Sequence, residues 1–228
     1  PRTIWLHAIS PGDSQRQALQ YREFPLYRLP QDVLNSFSRM QPNVLMVVYF
    51  GPLVAGFYIL ADRIIQLPFS LLQEAVRKVF YVKAVEFKRS GASLLPLCLK
   101  LSGLLLIAIL PAVCCVMLWG PMSCALIFGP EWALAGDYTR WIMIGVLARF
   151  VSLPASVLIP VMGWNRFYLI FELLSTILRL ATIVLVARTY SPQMTVMGIA
   201  LSSAAVSLLL LGIVSSRLIY RDRKNQSL

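Results

Sequence analysis

The chain has 228 residues, of which 58% are hydrophobic and only 14% are charged. Soluble domains carry about 25% charged residues, so this composition, with a mean hydropathy of +0.71, argues against a soluble enzyme and indicates a membrane protein. The net charge of +11 does not indicate nucleic-acid binding. The sequence has no basic helix with interleaved aromatic residues outside its apolar segments, and the cytoplasmic loops of membrane proteins collect Lys and Arg.

Residues 1–28 are the most polar part of the chain and are predicted to form a cytoplasmic linker. The six apolar stretches that follow each have about the 20 residues that a helix needs to cross a bilayer. They are Leu29–Phe50, Ala55–Val79, Leu94–Trp119, Thr139–Val161, Tyr168–Ala187 and Val196–Arg217. The sequence therefore predicts an all-α fold, a polytopic transmembrane bundle of about six helices over residues 29–217. A basic cytoplasmic tail is predicted over residues 218–228.

Basic residues are distributed unevenly among the predicted loops. They precede the first span and follow the second, fourth and sixth, whereas the other three loops contain Arg188 alone. Because cytoplasmic loops are enriched in Lys and Arg, this pattern predicts that both ends of the chain lie in the cytoplasm. The chain starts at Pro1 without a methionine, from which we expect it to be part of a longer protein.

Two predicted extracytoplasmic turns share a sequence pattern, Phe-Gly-Pro followed by Ala-Gly-x-Tyr. The first copy covers residues 50–58 and the second covers residues 128–138. A duplication would fit the internal repeats of transporters. Gly and Pro are also ordinary turn formers, so coincidence remains the alternative.

The first predicted span is unusually polar for a membrane helix. Its polar residues are Asn35, Ser36, Ser38, Gln41 and Asn43. Prolines also fall inside the spans, where each is expected to kink or interrupt its helix: Pro42, Pro68, Pro111, Pro154 and Pro160. A polar, kinked first span suits the lining of a water-filled cavity. The alternative is a helix whose polar side packs against its neighbours.

Charged residues inside the spans are the strongest functional signal. They are Arg39, Asp62, Arg63, Arg149, Glu172 and Arg179. A charge in mid-bilayer costs at least about 2.5–3.5 kcal/mol to insert, so it normally faces a wet cavity or a charged partner. The arginines outnumber the carboxylates, and a guanidinium group matches phosphate oxygens. We therefore expect a cavity for an anion such as a phosphate or pyrophosphate.

A structural role for these charges is the alternative. Arg63 could extend along its stem to the head groups, and Glu172 could form a fixed pair with Arg179 or Arg149. Asp62 and Glu172 are also the candidate sites for a coupling ion. The sequence contains no catalytic arrangement of carboxylates, phosphate loop or nucleophile elbow. With His7 as the single histidine and no C-x-x-C pair, we expect no metal, no cofactor and no enzyme activity.

A series of short motifs over residues 21–190 resembles the second lobe of polysaccharide flippases. The motifs are Phe24-Pro25-Leu26-Tyr27, Phe50-Gly51, Leu60-Ala61-x-Arg63, Val79-Phe80-Tyr81, Phe128-Gly129-x-x-Trp132 and Gly163-x-Asn165-Arg166. In order and spacing they are similar to the O-antigen (Wzx-type) transporters of lipopolysaccharide biosynthesis. That family is part of the multidrug/oligosaccharidyl-lipid/polysaccharide exporter superfamily.

The resemblance implies one lobe of a two-lobed exporter that works by alternating access in the bacterial inner membrane. It implies that the protein flips a lipid-linked oligosaccharide, an undecaprenyl-pyrophosphate carrying a sugar repeat unit, for surface polysaccharide synthesis. Arg39, Arg63, Arg149 and Arg179 would bind the pyrophosphate, and Asn35 and Asn43 would meet the sugars. The expected partners are this anionic cargo, membrane lipids and a missing N-terminal lobe, with no nucleic acid.

Two other functions remain open from the sequence. A cation-coupled multidrug exporter of the same superfamily would prefer acidic cavity residues, of which the spans offer Asp62 and Glu172. A membrane scaffold within a polysaccharide assembly complex would carry no cargo, and its intramembrane charges would all be paired and dry.

Overall fold

A computed structural model describes the backbone of residues 23–226, with the side chains of Pro30 and of residues 33–223. Residues 1–22 of the predicted linker and residues 227–228 of the predicted tail lie outside this range. Every described element is helical, which confirms the all-α prediction. The helices are α1 (Glu23–Arg89), α2 (Leu95–Phe128), α3 (Ala133–Val151), α4 (Leu153–Met162), α5 (Asn165–Thr189) and α6 (Pro192–Gln226), with a 3-10 turn at Pro130–Trp132.

Five helical segments of the described chain are long and apolar enough to cross a membrane, which supports a multi-pass membrane protein. They are Val33–Arg89, Leu95–Phe128, Pro130–Met162, Asn165–Thr189 and Pro192–Arg223. The sequence predicted about six spans. The difference arises in α1, which contains the first two predicted spans within one helical element.

α1 reverses its direction at Gly51, where the backbone has φ 80° and ψ 170°. Arg39 and Asp62 would lie about 35 Å apart along a straight helix, yet both interact electrostatically with Arg149. The chain therefore folds back, and α1 is a hairpin of a first limb, residues 23–50, and a second limb, residues 52–89. A loop was predicted over residues 51–54, but the glycine makes the reversal on its own because it tolerates positive φ.

The second Phe-Gly-Pro segment makes a similar turn between α2 and α3. Gly129 has φ 106° and ψ 161°, close to the conformation of Gly51. Beyond this turn the two helices pack with their backbones in contact. A Cβ atom on Gly136 would lie 2.3 Å from the Cα atom of Pro121. The similarity of the two segments in sequence thus extends to the conformation of their glycines.

α3 and α4 form the centre of the bundle. In the most apolar 18 residues of the span Pro130–Met162, 72% are buried, against 17% to 39% in the corresponding parts of the other four spans. The break between α3 and α4 falls at Ser152, two residues before Pro154, as the sequence predicted. The other prolines do not interrupt their helices, and the kinks expected at them stay predictions. Helical geometry continues through the other prolines, Pro42, Pro68, Pro111 and Pro160.

Basic residues from the ends of different predicted spans lie at one end of the bundle and contact neighbouring helices there. Lys88 Nζ donates a hydrogen bond to the carbonyl of Val161 at the end of α4. The Arg217 guanidinium lies 3.9 Å from the centre of the Phe167 ring, which joins α6 to α5. We call this end the basic end, and the opposite end, with Gly51 and Gly129, the glycine end. That the basic end is cytoplasmic stays a prediction.

Candidate functional site

Five of the six charges predicted inside the spans lie together. Arg149 interacts electrostatically with Asp62, Arg179 and Arg39, and Arg179 forms an ion pair with Glu172. We call these five residues, Arg39, Asp62, Arg149, Glu172 and Arg179, the arginine cluster. They come from α1, α3 and α5, so the cluster exists only when these three helices are packed.

Helix geometry explains how these side chains meet. Arg39 precedes Gly51 and Asp62 follows it by nearly the same number of residues, so the hairpin places both at a similar depth. Arg149 is in the last turn of α3, just before the break at Ser152. Glu172 and Arg179 are two turns apart on the same face of α5.

Arg179 connects α5 to the first limb of α1. Its Nη1 donates a hydrogen bond to Ser38 Oγ at 2.9 Å and lies 3.7 Å from Glu172 Oε1. The Glu172 side chain is 8% exposed and that of Arg179 is 21% exposed, so the pair is largely removed from solvent. Arg179 Nε is buried without a hydrogen-bond partner among the described residues. The predicted pairing of Glu172 with Arg179 is thus present, but it leaves guanidinium donors unused.

Asp62 is the second carboxylate of the cluster. Gln66, one turn further along the second limb, donates to its Oδ1 at 3.3 Å. Asp62 also interacts electrostatically with Arg149 and with its neighbour Arg63. Each carboxylate therefore faces at least one arginine of the cluster.

Two tyrosines, the buried Tyr58 and the half-buried Tyr168, border the cluster and were missed by the sequence analysis. Tyr58 interacts electrostatically with Asp62 and Arg149, and Tyr168 interacts with Glu172, Arg179 and Arg39. Each tyrosine precedes a cluster carboxylate by one helical turn, at the i,i+4 spacing that places side chains on the same face. That spacing was the signal in the sequence that could have found them.

Gln41 is a further polar residue beside the cluster. It lies one turn beyond Ser38 on the first limb and is 5% exposed. Neither its amide nitrogen nor its amide oxygen has a hydrogen-bond partner within the described part of the chain. Burying an amide without partners costs free energy, so this position has the capacity to bind a polar group that enters the bundle. The sequence analysis named Gln41 as polar but not as a site residue.

The other three predicted site residues are less closely associated with the cluster. Arg63 is exposed and follows Asp62 in the helix. Asn35 and Asn43 are half-buried on the first limb, on either side of Arg39 in the sequence. Their roles stay predictions.

The cluster carries an excess of positive charge. Its three arginines face two carboxylates, and Arg63 adds a further positive charge beside Asp62. Like charges held together away from water repel each other strongly, because the effective dielectric constant is low. An anion that entered the cluster would relieve this repulsion. Arg39 is exposed and so lies on the open side of the arrangement.

Comparison with known proteins identifies one related family. The model of a family described as polysaccharide biosynthesis protein matches residues 4–137, more than half of the chain. The matched segment contains α1, α2 and the first residues of α3, and so includes Arg39 and Asp62 but ends before Arg149. No curated protein and no solved structure matches the chain.

Proposed function

The chain belongs to the polysaccharide biosynthesis protein family, and from this membership we propose that it flips a lipid-linked oligosaccharide across the bacterial inner membrane. The proposed cargo is a sugar repeat unit on undecaprenyl pyrophosphate, used for surface polysaccharide synthesis. The five candidate membrane helices support transport within a bilayer.

One observation supports an anionic cargo above all. Three arginines from three helices lie together with only two carboxylates to balance their charge. A pyrophosphate supplies the negative charge that the cluster lacks. Its oxygens accept hydrogen bonds from planar guanidinium groups in pairs, an arrangement that a compact ammonium group does not offer. A cationic drug would meet a surplus of positive charge at the same place, which disfavours the exporter alternative.

The contacts also support a simple binding scheme. Arg39 is exposed and would meet the pyrophosphate first, and Arg149 lies behind it. Arg179 keeps Glu172 and Ser38 as partners when no cargo is bound. Its unused Nε then becomes a donor to the cargo. The carboxylates would thus hold the arginines in place between transport cycles, and rocking of this bundle against a second lobe would expose the cluster to each side in turn.

The test is to replace Arg39 or Arg149 by glutamine in the full-length protein. Proteoliposomes would be loaded with a fluorescent lipid-linked oligosaccharide, and its translocation would be measured. We expect a loss of at least about tenfold for each variant, because an interaction with the cargo anion is removed. Arg39→Lys should keep part of the activity, since the charge remains but the planar fork is lost.

Arg188→Gln is the matched control. Arg188 is exposed in the last turn of α5, at the glycine end and away from the cluster. This variant should translocate cargo at the parent rate. Unchanged translocation by both Arg39→Gln and Arg149→Gln, with each protein stably inserted, would overturn the proposal.

A further inference from the structure

A groove lies at the glycine end between α2, α3 and α6. It encloses about 400 Å³ and is lined by Met117, Asp137, Arg140, Trp141, Ile144 and Met197, among others. Its walls are mostly apolar, and methionine side chains adapt to flexible ligands. The groove thus combines an apolar surface with one pair of opposite charges.

The groove is separate from the arginine cluster. Arg140 and Arg149 both belong to α3, and nine residues make two and a half turns of a helix. The two side chains therefore leave α3 on opposite faces. Arg149 points toward α1 and α5, where the cluster lies, and Arg140 points toward the groove against α2 and α6.

The charged pair in the groove is well defined. Arg140 Nη1 lies 3.3 Å from Asp137 Oδ1, and the two side chains are 38% and 40% exposed. Arg140 has five N–H donors, and this contact engages only Nη1. Arg140 Nε has no hydrogen-bond partner among the residues that the structure describes. The guanidinium therefore retains donors for a second acceptor.

The order of the two charges along the membrane normal is the informative feature. α3 runs from the glycine end into the bundle, so Asp137 lies nearer that end and Arg140 lies one turn deeper. In a zwitterionic phospholipid the ammonium group is outermost and the phosphate is closer to the acyl chains. The two charges of the protein therefore match the two charges of such a head group in sign and in order.

We propose that this groove binds a phospholipid with an ammonium head group, of the phosphatidylethanolamine type. Its ammonium group would contact Asp137, its phosphate would contact Arg140, and an acyl chain would lie on Met117, Ile144 and Met197. An anionic lipid without an ammonium group would place like charge or no charge against Asp137. The groove is thus selective for a zwitterionic lipid, and this site is independent of the proposed cargo path.

Trp141 lines the groove, so its fluorescence can report which lipid is bound there. In the full-length protein, the other tryptophans of this chain, Trp5, Trp119, Trp132 and Trp164, and any outside it would be replaced by phenylalanine. The protein would be reconstituted in phosphatidylglycerol vesicles that contain an equal minor fraction of brominated phosphatidylethanolamine or brominated phosphatidylglycerol. Bromine quenches a nearby indole, so we expect quenching of Trp141 to be at least about twofold stronger with the ethanolamine lipid.

Three variants test the assignment of the residues. Asp137→Asn and Arg140→Gln each remove one charge and should abolish the preference for the ethanolamine lipid. The double exchange Asp137→Arg with Arg140→Asp keeps an ion pair, and hence its contribution to the fold, but reverses the order of the charges. It should abolish the preference as well, whereas Arg188→Gln, at the same end but outside the groove, should keep it.

Two results would overturn the proposal. Equal quenching of Trp141 by the two brominated lipids would show that the groove does not select a zwitterionic head group. If the double exchange left the preference for the ethanolamine lipid unchanged, Asp137 and Arg140 would not be the residues that recognise the head group. Neither result bears on translocation of the oligosaccharide, so a failure here is distinguishable from a failure of the proposed function.

Discussion

Ser38 accepts a hydrogen bond from Arg179 across 141 positions of the sequence, and this contact joins the first limb of α1 to α5. Ser38 is 4% exposed, so water cannot easily replace it as an acceptor. The contact also fixes the direction of the guanidinium group toward α1. The arginine cluster therefore depends on a neutral hydroxyl as well as on its carboxylates.

Replacing Ser38 by alanine should destabilise the protein by about 1.5–3 kcal/mol, the usual range for a hydrogen bond to a charged group. The measurement is the apparent Tm of the detergent-solubilised full-length protein. Ser216→Ala is the control, because Ser216 is exposed and donates only to the carbonyl of Gly212 in its own helix. The two variants should differ clearly in Tm, and equal Tm values would contradict the role given to Ser38.

Glu172 and Arg179 should show strong energetic coupling. Glu172→Gln leaves the Arg179 guanidinium largely buried without its ion-pair partner, and breaking a buried pair in this way costs about 3–5 kcal/mol. The double variant Glu172→Gln with Arg179→Gln should recover part of that loss, because no unpaired charge remains. A double-mutant cycle on thermal or denaturant stability gives the coupling. Additive effects would mean that the two groups do not form the pair described here.

Gly136 should not tolerate a side chain. A Cβ atom there would meet the backbone of Pro121 at 2.3 Å, so α2 and α3 would have to separate. Overpacking of this kind costs about 1–3 kcal/mol and more where backbone must move. Gly136→Ala should therefore lower the yield of folded protein and its Tm.

Gly212→Ala is the matched control for Gly136→Ala. A Cβ atom at Gly212, which is also helical, has nothing within 4 Å. Alanine is the better helix former by about 0.8–1 kcal/mol, so this substitution should leave Tm unchanged or raise it. If Gly136→Ala behaved in the same way, the close contact between α2 and α3 would be refuted.

We expect water in a cavity between the membrane helices to reach the side chain of Arg39. In a protein without its native cysteines, the Arg39→Cys variant should react quickly with a charged, membrane-impermeant thiol reagent added to open membranes. Ile107→Cys is the control, since Ile107 lies in the middle of α2 and is 67% exposed on an apolar surface. It should react slowly, because a thiol in lipid does not ionise.

Cargo should slow the labelling of the Arg39→Cys variant and leave the labelling of the Ile107→Cys variant unchanged. This outcome separates transport from the scaffold alternative, in which the charges of the cluster are dry. Equal, slow labelling of both variants would support the scaffold and count against a water-filled path.

Much of the fold was predictable because hydrophobic length and turn chemistry dominate in a membrane protein. The fourth to sixth predicted spans begin and end inside observed helices, the third begins one residue before its helix, and the break before Pro154 occurs where it was expected. The reversal at Gly51 was placed correctly but its form was not, since a single positive φ replaced a loop. Helices continue through Pro42, Pro68, Pro111 and Pro160, since membrane helices tolerate proline where their surroundings satisfy the freed backbone groups.

The cluster was predictable only in part. The cost of burying charge identified Arg39, Asp62, Arg149, Glu172 and Arg179 without knowledge of the packing. The contact of Arg179 with Ser38 and the unpartnered amide of Gln41 depend on which helices are neighbours. Periodicity within one helix does not contain that information.

Gly51 is the single non-helical residue between the two limbs of α1, so no linker separates them. A sliding motion of either limb along its axis must be transmitted to the other, so the smallest mobile unit on this side of the protein is the whole hairpin. Arg39 and Asp62 then travel together, and each conformational change carries a cation and an anion through the same displacement. Arg63 follows Asp62 in the same limb and moves with it, so the displaced segment carries one net positive charge, and in the proposed transport cycle this movement would be sensitive to the voltage across the membrane.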